Sequence, residues 1–261
     1  MRDASDVHVE SIGAGPSLVL LHGFAMHSGL FAPLLPALSA NHRVHLVDLP
    51  GHGRSPPFPS YTVDTLVDAV HRAIDGEVPV DVLGWSLGGA VALAWGAKHP
   101  ARVRRIVAVA TTPAFVARSG WPHAMLAETL SRFGDELRVA YEATLKRFLT
   151  LQVQGSEEGR ATLAAMRAQL FERGRPSPDA LEGTLRLLDQ LDLRDDVARV
   201  RQAVRVVSGD RDTLVPLGAG TWLANALPHG SLSVIAGAGH APFLSHAREF
   251  LAAAQPFLDA R

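Results

Sequence analysis

Hydrophobic and polar positions along the chain fall into two rhythms. Short apolar runs closed by glycine occur at "SLVLLHG" (17–23) and "HRVHLVDLPG" (42–51), and further strand-like runs at "VPVDVLG" (78–84), "VRRIVAVA" (103–110), "AVRVVSG" (203–209) and "SLSVIAG" (231–237). The first two predict buried strands, and the others read as further strands of the same set. "VHVESIG" (7–13) alternates instead and predicts an edge strand that ends at the Gly13–Pro16 turn. Between these runs, "YTVDTLVDAVHRAI" (61–74), "SLGGAVALAWGAKHP" (86–100), "LGAGTWLANAL" (217–227) and "SHAREFLAAAQPFL" (245–258) read as helices. Ser60 or Thr62 is available to cap the first, and Pro100 stops the second. Strands alternating with helices predict a mostly parallel sheet covered on both faces, an α/β architecture.

From Pro113 to Leu191 the strand signal disappears. Residues 122–150, 157–173 and 178–191 have helical spacing, broken at Gly155 and at "GRPSPD". The expectation is one sheet domain, residues 1–112 and 192–261, interrupted by a helical cap over 113–191.

Candidate chemistry begins at Gly84-Trp85-Ser86-Leu87-Gly88, a G-x-S-x-G pattern with a strand before it and a helix after it. A serine forced into so sharp a turn needs neighbours without side chains, and the turn lifts its hydroxyl clear of the sheet. The helix starting at Leu87 aims unsatisfied N–H groups at the same point. A serine nucleophile needs a base, and the base needs an orienting acid; in this architecture they follow in the order serine, acid, histidine.

His240, in the loop after a late strand and preceded by small residues, is the favoured base. His99 and His246 are assigned to solvated helix positions and His229 to a turn. "GDRDTLVP" offers Asp210 and Asp212; Asp212 is favoured, with Asp210 read as a turn-capping residue. The expected oxyanion donors are the Leu87 N–H and, from the loop "HGF", the Phe24 N–H, with His22 holding that loop in shape.

Composition narrows the setting. Of the 261 residues, 47% are hydrophobic and 20% charged, and the formal net charge is -1, which fits a globular chain and gives no support to nucleic-acid binding. With no cysteine there are no disulfides, thiolate metal sites or cysteine nucleophiles. No apolar segment has the length of a signal-peptide core or membrane span, so a cytoplasmic location and no membrane association are expected. The twelve histidines show no paired ligand spacing, and "DLPGHGRS" lacks the ending of a phosphate-binding loop, so neither metal nor cofactor is expected.

Five stretches in order, "LLHGF", "DLPGHGRS", "GWSLGG", "GDRDTLVP" and "GAGHAPFLSHAREF", resemble the α/β-hydrolase superfamily across essentially the whole chain. Within it, Trp85, "VATTPAFVARSGWP", "KRFLTLQVQGSEEGR" and "AGAGHAPFLSHAREF" are similar to the BioH-type carboxylesterases of biotin synthesis, which act on the methyl ester of pimeloyl-[acyl-carrier protein]. The resemblance implies a triad of Ser86, Asp212 and His240. It also implies Phe24 and Leu87 at the ester carbonyl, and an acyl channel formed by Phe148, Leu149, Thr150, Leu151 and Gln152.

Helical spacing by itself puts Leu145, Phe148, Leu149 and Gln152 on one face, which suits either cap packing or an acyl slot. The same likeness implies an acyl carrier protein as partner of a monomeric enzyme. Lys146, Arg147, Arg160 and Arg167 are the candidate docking residues, with Arg138 as a further one. Ala143 and Ala164 stand where the family can carry arginine. General short-chain carboxylesterases, C–C bond hydrolases, perhydrolases and the menaquinone-pathway lyases share the triad and are the alternatives; a non-enzymatic ligand-binding hydrolase fold is the outlying one.

Overall fold

A computed structural model describes residues 7–74, 76 and 78–260 of the chain. Seven strands form one sheet: β1 (Val9–Ile12), β2 (Ser17–Leu21), β3 (Arg43–Val47), β4 (Val80–Trp85), β5 (Val103–Val109), β6 (Ala203–Gly209) and β7 (Gly230–Ile235). They lie in the order β1-β3-β2-β4-β5-β6-β7; β1 runs antiparallel to β3, and every other pair is parallel. β4, in the middle, is buried along its whole length, as its apolar run requires.

Ten α-helices accompany the sheet among the described residues. α1 (Leu35–Leu38) and α2 (Val63–Ala73) flank β3, α3 (Leu87–Lys98) links β4 to β5, and α4 (Ala127–Val139), α5 (Tyr141–Gln152), α6 (Gly159–Gln169) and α7 (Pro178–Gln190) stand between β5 and β6. α8 (Leu217–Ala226), α9 (Pro242–Ser245) and α10 (Ala247–Asp259) complete the chain. Thr62 caps α2 in a reciprocal capping box with Thr65.

Three stretches differ from what the sequence pattern predicts. The strand read over 42–51 stops at Val47; beyond it the Asp48 carboxylate accepts from Ser28 in the loop after β2 and from Arg54 in its own loop. Residues 113–126 are not helical. They make a narrow excursion in which Ala117 and Met125 pair and the buried Trp121 donates its indole N–H to Ala114 O at 2.8 Å. The helix expected over 122–150 is two helices, broken at Ala140 (φ -137°) without a glycine or proline. Glu136 O accepts the Ala140 N–H at 2.8 Å and, across the break, the Thr144 hydroxyl at 3.1 Å, so the two helices stay linked at the bend.

Because the strands are parallel, the loops after β2, β4, β6 and β7 all emerge at one edge of the sheet. The loop after β2 is held from beneath by a buried polar network. His22 Nε2 accepts the Leu49 N–H at 2.9 Å, which leaves Nδ1 protonated to donate to Gly23 O at 2.8 Å. Asp48 Oδ1 accepts from both the N–H (2.8 Å) and the hydroxyl (2.7 Å) of Ser28, and Oδ2 accepts the Arg54 N–H at 3.0 Å. Burial alone would raise the Asp48 pKa. The neighbouring His22 and the donors from Arg54 and Ser28 outweigh it and hold the carboxyl below its ordinary range.

Burial, reinforced by the neighbouring His52, pushes His22 down to about 3. Burial likewise pushes His52 down to about 4, although its Nδ1 donates to Pro50 O at 2.9 Å. Both are therefore neutral in the folded protein at pH 7, while the unfolded chain protonates them near 6.5. Between those values the unfolded state binds more protons, so folding stability falls as pH falls. Urea unfolding is expected to show a loss of up to about 1.4 kcal/mol per pH unit per histidine between roughly pH 6 and 4. His52→Phe should flatten that slope, and an unchanged slope would contradict the assignment.

Candidate active site

Ser86 follows β4 with φ 55° and ψ -115°, a conformation L-residues avoid, and its N–H is anchored to Val109 O at 2.8 Å. The turn closes because its neighbours are glycines. A β-carbon on Gly84 would run into the backbone of Gly88, and one on Gly88 into Leu21 and His22 O. A β-carbon on Gly23 would press on Ser86 itself at 3.3 Å. These contacts bring the β2 loop against the serine and leave its side chain facing a cavity.

Asp212 and His240 come from the loops after β6 and β7. Asp212 is buried and its two oxygens have separate tasks. Oδ1 accepts the N–H groups of Leu214 and Val215, each at 2.9 Å, which fixes the carboxylate plane; Oδ2 accepts Nδ1–H of His240 at 2.7 Å. With Nδ1 committed as donor, the neutral imidazole presents Nε2 as an acceptor. The histidine backbone is pinned at both ends: its N–H donates to Gln152 O at 2.9 Å, and its carbonyl accepts the Trp85 indole N–H at 2.8 Å. Asp210 is exposed and accepts the Gly237 N–H at 2.7 Å, so it bonds to the neighbouring loop rather than to its own.

Ser86 and His240 share the wall of one cavity with Phe24, Phe115, Met125, Leu130, Phe133, Phe148, Leu151, Leu185, Leu188 and Leu214. Thr129 is the remaining polar lining residue. Phe24, Phe133 and Phe148 form an aromatic cluster, with Phe148 edge-on to Phe24 at 5.7 Å between centroids. Among the described residues the N–H groups of Phe24 and Leu87 have no acceptor, so both remain available to a bound oxygen.

Of the helical stretch 148–152, Phe148 and Leu151 line the cavity; Leu149, Thr150 and Gln152 do not. Leu145 and Leu149 point into the packing of the insertion and are fully buried, while Thr150 faces solvent and returns its hydroxyl to Lys146 O at 3.3 Å. Gln152 reaches the site through its main-chain carbonyl on His240, a contact with no side-chain signal.

The remaining histidines lie elsewhere. His22 sits under the β2 loop, His229 is exposed, and His246 precedes α10 with Nδ1 2.8 Å from the Ser245 hydroxyl. His99 is not solvated as expected: it stacks on His71 at 4.0 Å between centroids, at the end of α3.

The candidate docking residues Lys146, Arg147, Arg160 and Arg167 are all exposed. Lys146 lies 3.7 Å from Glu142, Arg147 pairs with Glu136, and Arg138 pairs with Asp135 at 2.6 Å. Arg160 and Arg167 have no acidic partner among the described residues. No group of three or more His, Asp or Glu among the described residues is placed to hold a metal ion. No described helix is long and apolar enough to cross a membrane.

The alpha/beta hydrolase fold family model matches residues 16–247. The chain is 42% identical over 254 residues to the pimeloyl-[acyl-carrier protein] methyl ester esterase of Chromobacterium violaceum, covering 97% of this chain and 98% of that protein. It is 45% identical over 253 residues to the protein of that name from Xanthomonas axonopodis pv. citri, with the same coverage. The solved esterase of Exiguobacterium antarcticum superposes with a TM-score of 0.89 over 97% of this chain and 96% of its own at 21% identity, a likeness of fold. With a nucleophile-elbow geometry at Ser86 and a match running through nearly the whole sequence, the chain belongs to the alpha/beta hydrolase fold family.

Proposed function

We propose that the chain is a serine carboxylesterase that hydrolyses the methyl ester of pimeloyl-[acyl-carrier protein], the reaction named for the Chromobacterium and Xanthomonas relatives. The observation that carries the chemistry is the buried Asp212–His240 hydrogen bond of 2.7 Å, beside a strained Ser86 on the wall of the same apolar cavity. In this reading residues 113–191 cap the core formed by 1–112 and 192–261.

Ser86 Oγ attacks the ester carbonyl carbon as its proton passes to His240 Nε2. The Asp212 carboxylate stabilises the resulting imidazolium and keeps the proton on Nδ1. The carbonyl oxygen, now an oxyanion, takes hydrogen bonds from the Phe24 and Leu87 N–H groups, each worth on the order of 3 kcal/mol in the transition state. Collapse of the tetrahedral intermediate expels methanol, which receives its proton from His240. Water then enters, loses a proton to His240 and cleaves the acyl-serine, leaving a free distal carboxylate on the carrier-bound chain. The lining from Phe24 to Leu214 suits a methylene chain, whose transfer from water favours binding by about 0.8 kcal/mol per CH2 buried.

An acidic carrier protein would meet the basic, exposed faces of α5 and α6. Lys146 and Arg147 already have acidic neighbours, so Arg160 and Arg167 are the stronger pair for a new ionic contact. No cofactor takes part in this scheme, and the aqueous carrier-bound substrate suits a cytoplasmic enzyme.

Ser86→Ala is expected to lower hydrolysis of a p-nitrophenyl ester by at least about 10³-fold without changing the circular dichroism spectrum. Retained activity would remove Ser86 from its role. Reversing both Arg160 and Arg167 to glutamate is expected to raise KM for the carrier-bound ester by about ten-fold at low salt, and less as salt rises. An equal rise for a small soluble ester would place docking elsewhere. Complementation of a biotin-requiring strain that lacks its own pimeloyl methyl-esterase tests the substrate: growth restored by this gene and lost with Ser86→Ala supports it. Small-ester turnover without complementation would indicate a general carboxylesterase.

A further inference from the structure

The loop after β2 carries the Phe24 N–H and is strained: Ala25 has φ 60°. An alanine stays in the left-handed region only where its surroundings over-determine it, at a cost of roughly 1–3 kcal/mol. Part of that hold comes from the core, through His22 and Asp48. The rest comes from the insertion, from residues more than 140 positions away. His27 Nδ1 accepts the Gly29 N–H at 3.1 Å, so its Nε2 carries the proton that it donates to Gln169 O, at the end of α6, over 2.6 Å.

Arg173, four residues later, extends its guanidinium under the loop with its side chain 14% exposed. Its Nη1 donates to the Ser28 hydroxyl at 3.3 Å and lies 3.8 Å from Asp48 Oδ2, and its Nη2 donates to Glu10 at 2.8 Å. Gly29 has no side chain where Arg173 passes: a β-carbon there would sit 2.8 Å from its Nε.

We propose that Arg173 is a positioning residue for catalysis: by forking between Ser28, Asp48 and Glu10 it holds the strained 23–28 loop against the cleft and ties the Phe24 N–H to the position of the helical insertion. The hydroxyl of Ser28 is the relay, accepting from Arg173 and donating to Asp48. The opposite side of the site is tied in parallel, since Gln152 O holds His240 N–H and the Glu157 N–H holds Gly237 O at 3.0 Å. The insertion thus grips the loop that carries Phe24 and the loop that carries His240. A bidentate, charged fork fixes direction in a way that a single lysine charge does not. Small displacements of an oxyanion donor cost rate rather than affinity, because the donor acts on charge that develops in the transition state.

The inference rests on Phe24 being an oxyanion donor in the esterase reading. The test compares wild type, Arg173→Ala and Arg173→Lys on p-nitrophenyl butyrate, with Ser86→Ala as blank, and follows backbone amide exchange over residues 23–31. For Arg173→Ala, kcat is expected to fall by about 10- to 100-fold while KM changes by less than about two-fold. Millimolar guanidinium should restore part of the loss, exchange over 23–31 should quicken about ten-fold while α3 is unaffected, and Arg173→Lys should lie between.

Unchanged kcat, a loss carried mainly by KM, or no response to guanidinium would overturn the catalytic role, and unaltered exchange over 23–31 would overturn the hold on the loop. Should Arg173→Ala not fold, Arg173→Lys decides by the same split. If wild type does not turn over the ester, or Ser86→Ala matches it, the esterase reading fails on its own. Amide exchange then still decides whether Arg173 holds the loop.

Discussion

The hydrogen bond between Asp212 and His240 is the contact on which the site depends. It joins the loops after two neighbouring parallel strands, and both partners are held around it by further hydrogen bonds. Two backbone amides orient the carboxylate; the Trp85 indole and the Gln152 carbonyl hold the histidine main chain. An imidazole fixed in this way has one free nitrogen and one direction in which to present it. Preorganisation of this kind means that little reorganisation is needed when the proton moves.

The parallel sheet explains why such a pair can meet a serine from a third strand. Strands of one direction release their following loops at one edge, so residues 86, 212 and 240 are distant along the chain and close in space. The glycines around Ser86 are the local counterpart. They let the β2 loop, the elbow and α3 approach to backbone contact, which side chains would prevent. Strain at Ser86 and at Ala25 is tolerated because the sheet, the buried Asp48 network and the insertion hold those turns in place.

Much of this was legible in the residues. Buried parallel strands are short apolar runs, most of them here closed by glycine, so the strands were readable to within a few positions, and the elbow was readable because only glycines permit it. Phase along α5 was harder: helical spacing grouped Leu145, Phe148, Leu149 and Gln152, whereas the cavity takes Phe148 and Leu151 and leaves Leu149 to packing. A one-residue rotation of a helical stripe separates those outcomes, and it is set by neighbouring helices rather than by the stripe. The break at Ala140 had no glycine or proline to mark it, and the hydroxyl that bridges it, on Thr144, is an ordinary helix residue by sequence. The carbonyl of Gln152 and the reach of Arg173 to Ser28 carry no sequence signal, because one uses the main chain and the other spans 145 residues.

If the Asp212–His240 pair activates Ser86, a fluorophosphonate reports it directly. Labelling rate and site of attachment, read by intact mass and peptide mapping in wild type and Asp212→Asn, form the decisive measurement. One adduct is expected, on Ser86, with a rate lower by about 10⁴-fold in Asp212→Asn, where the imidazole loses its tautomer. An adduct on another residue, or Asp212→Asn labelling at the wild-type rate, would contradict it.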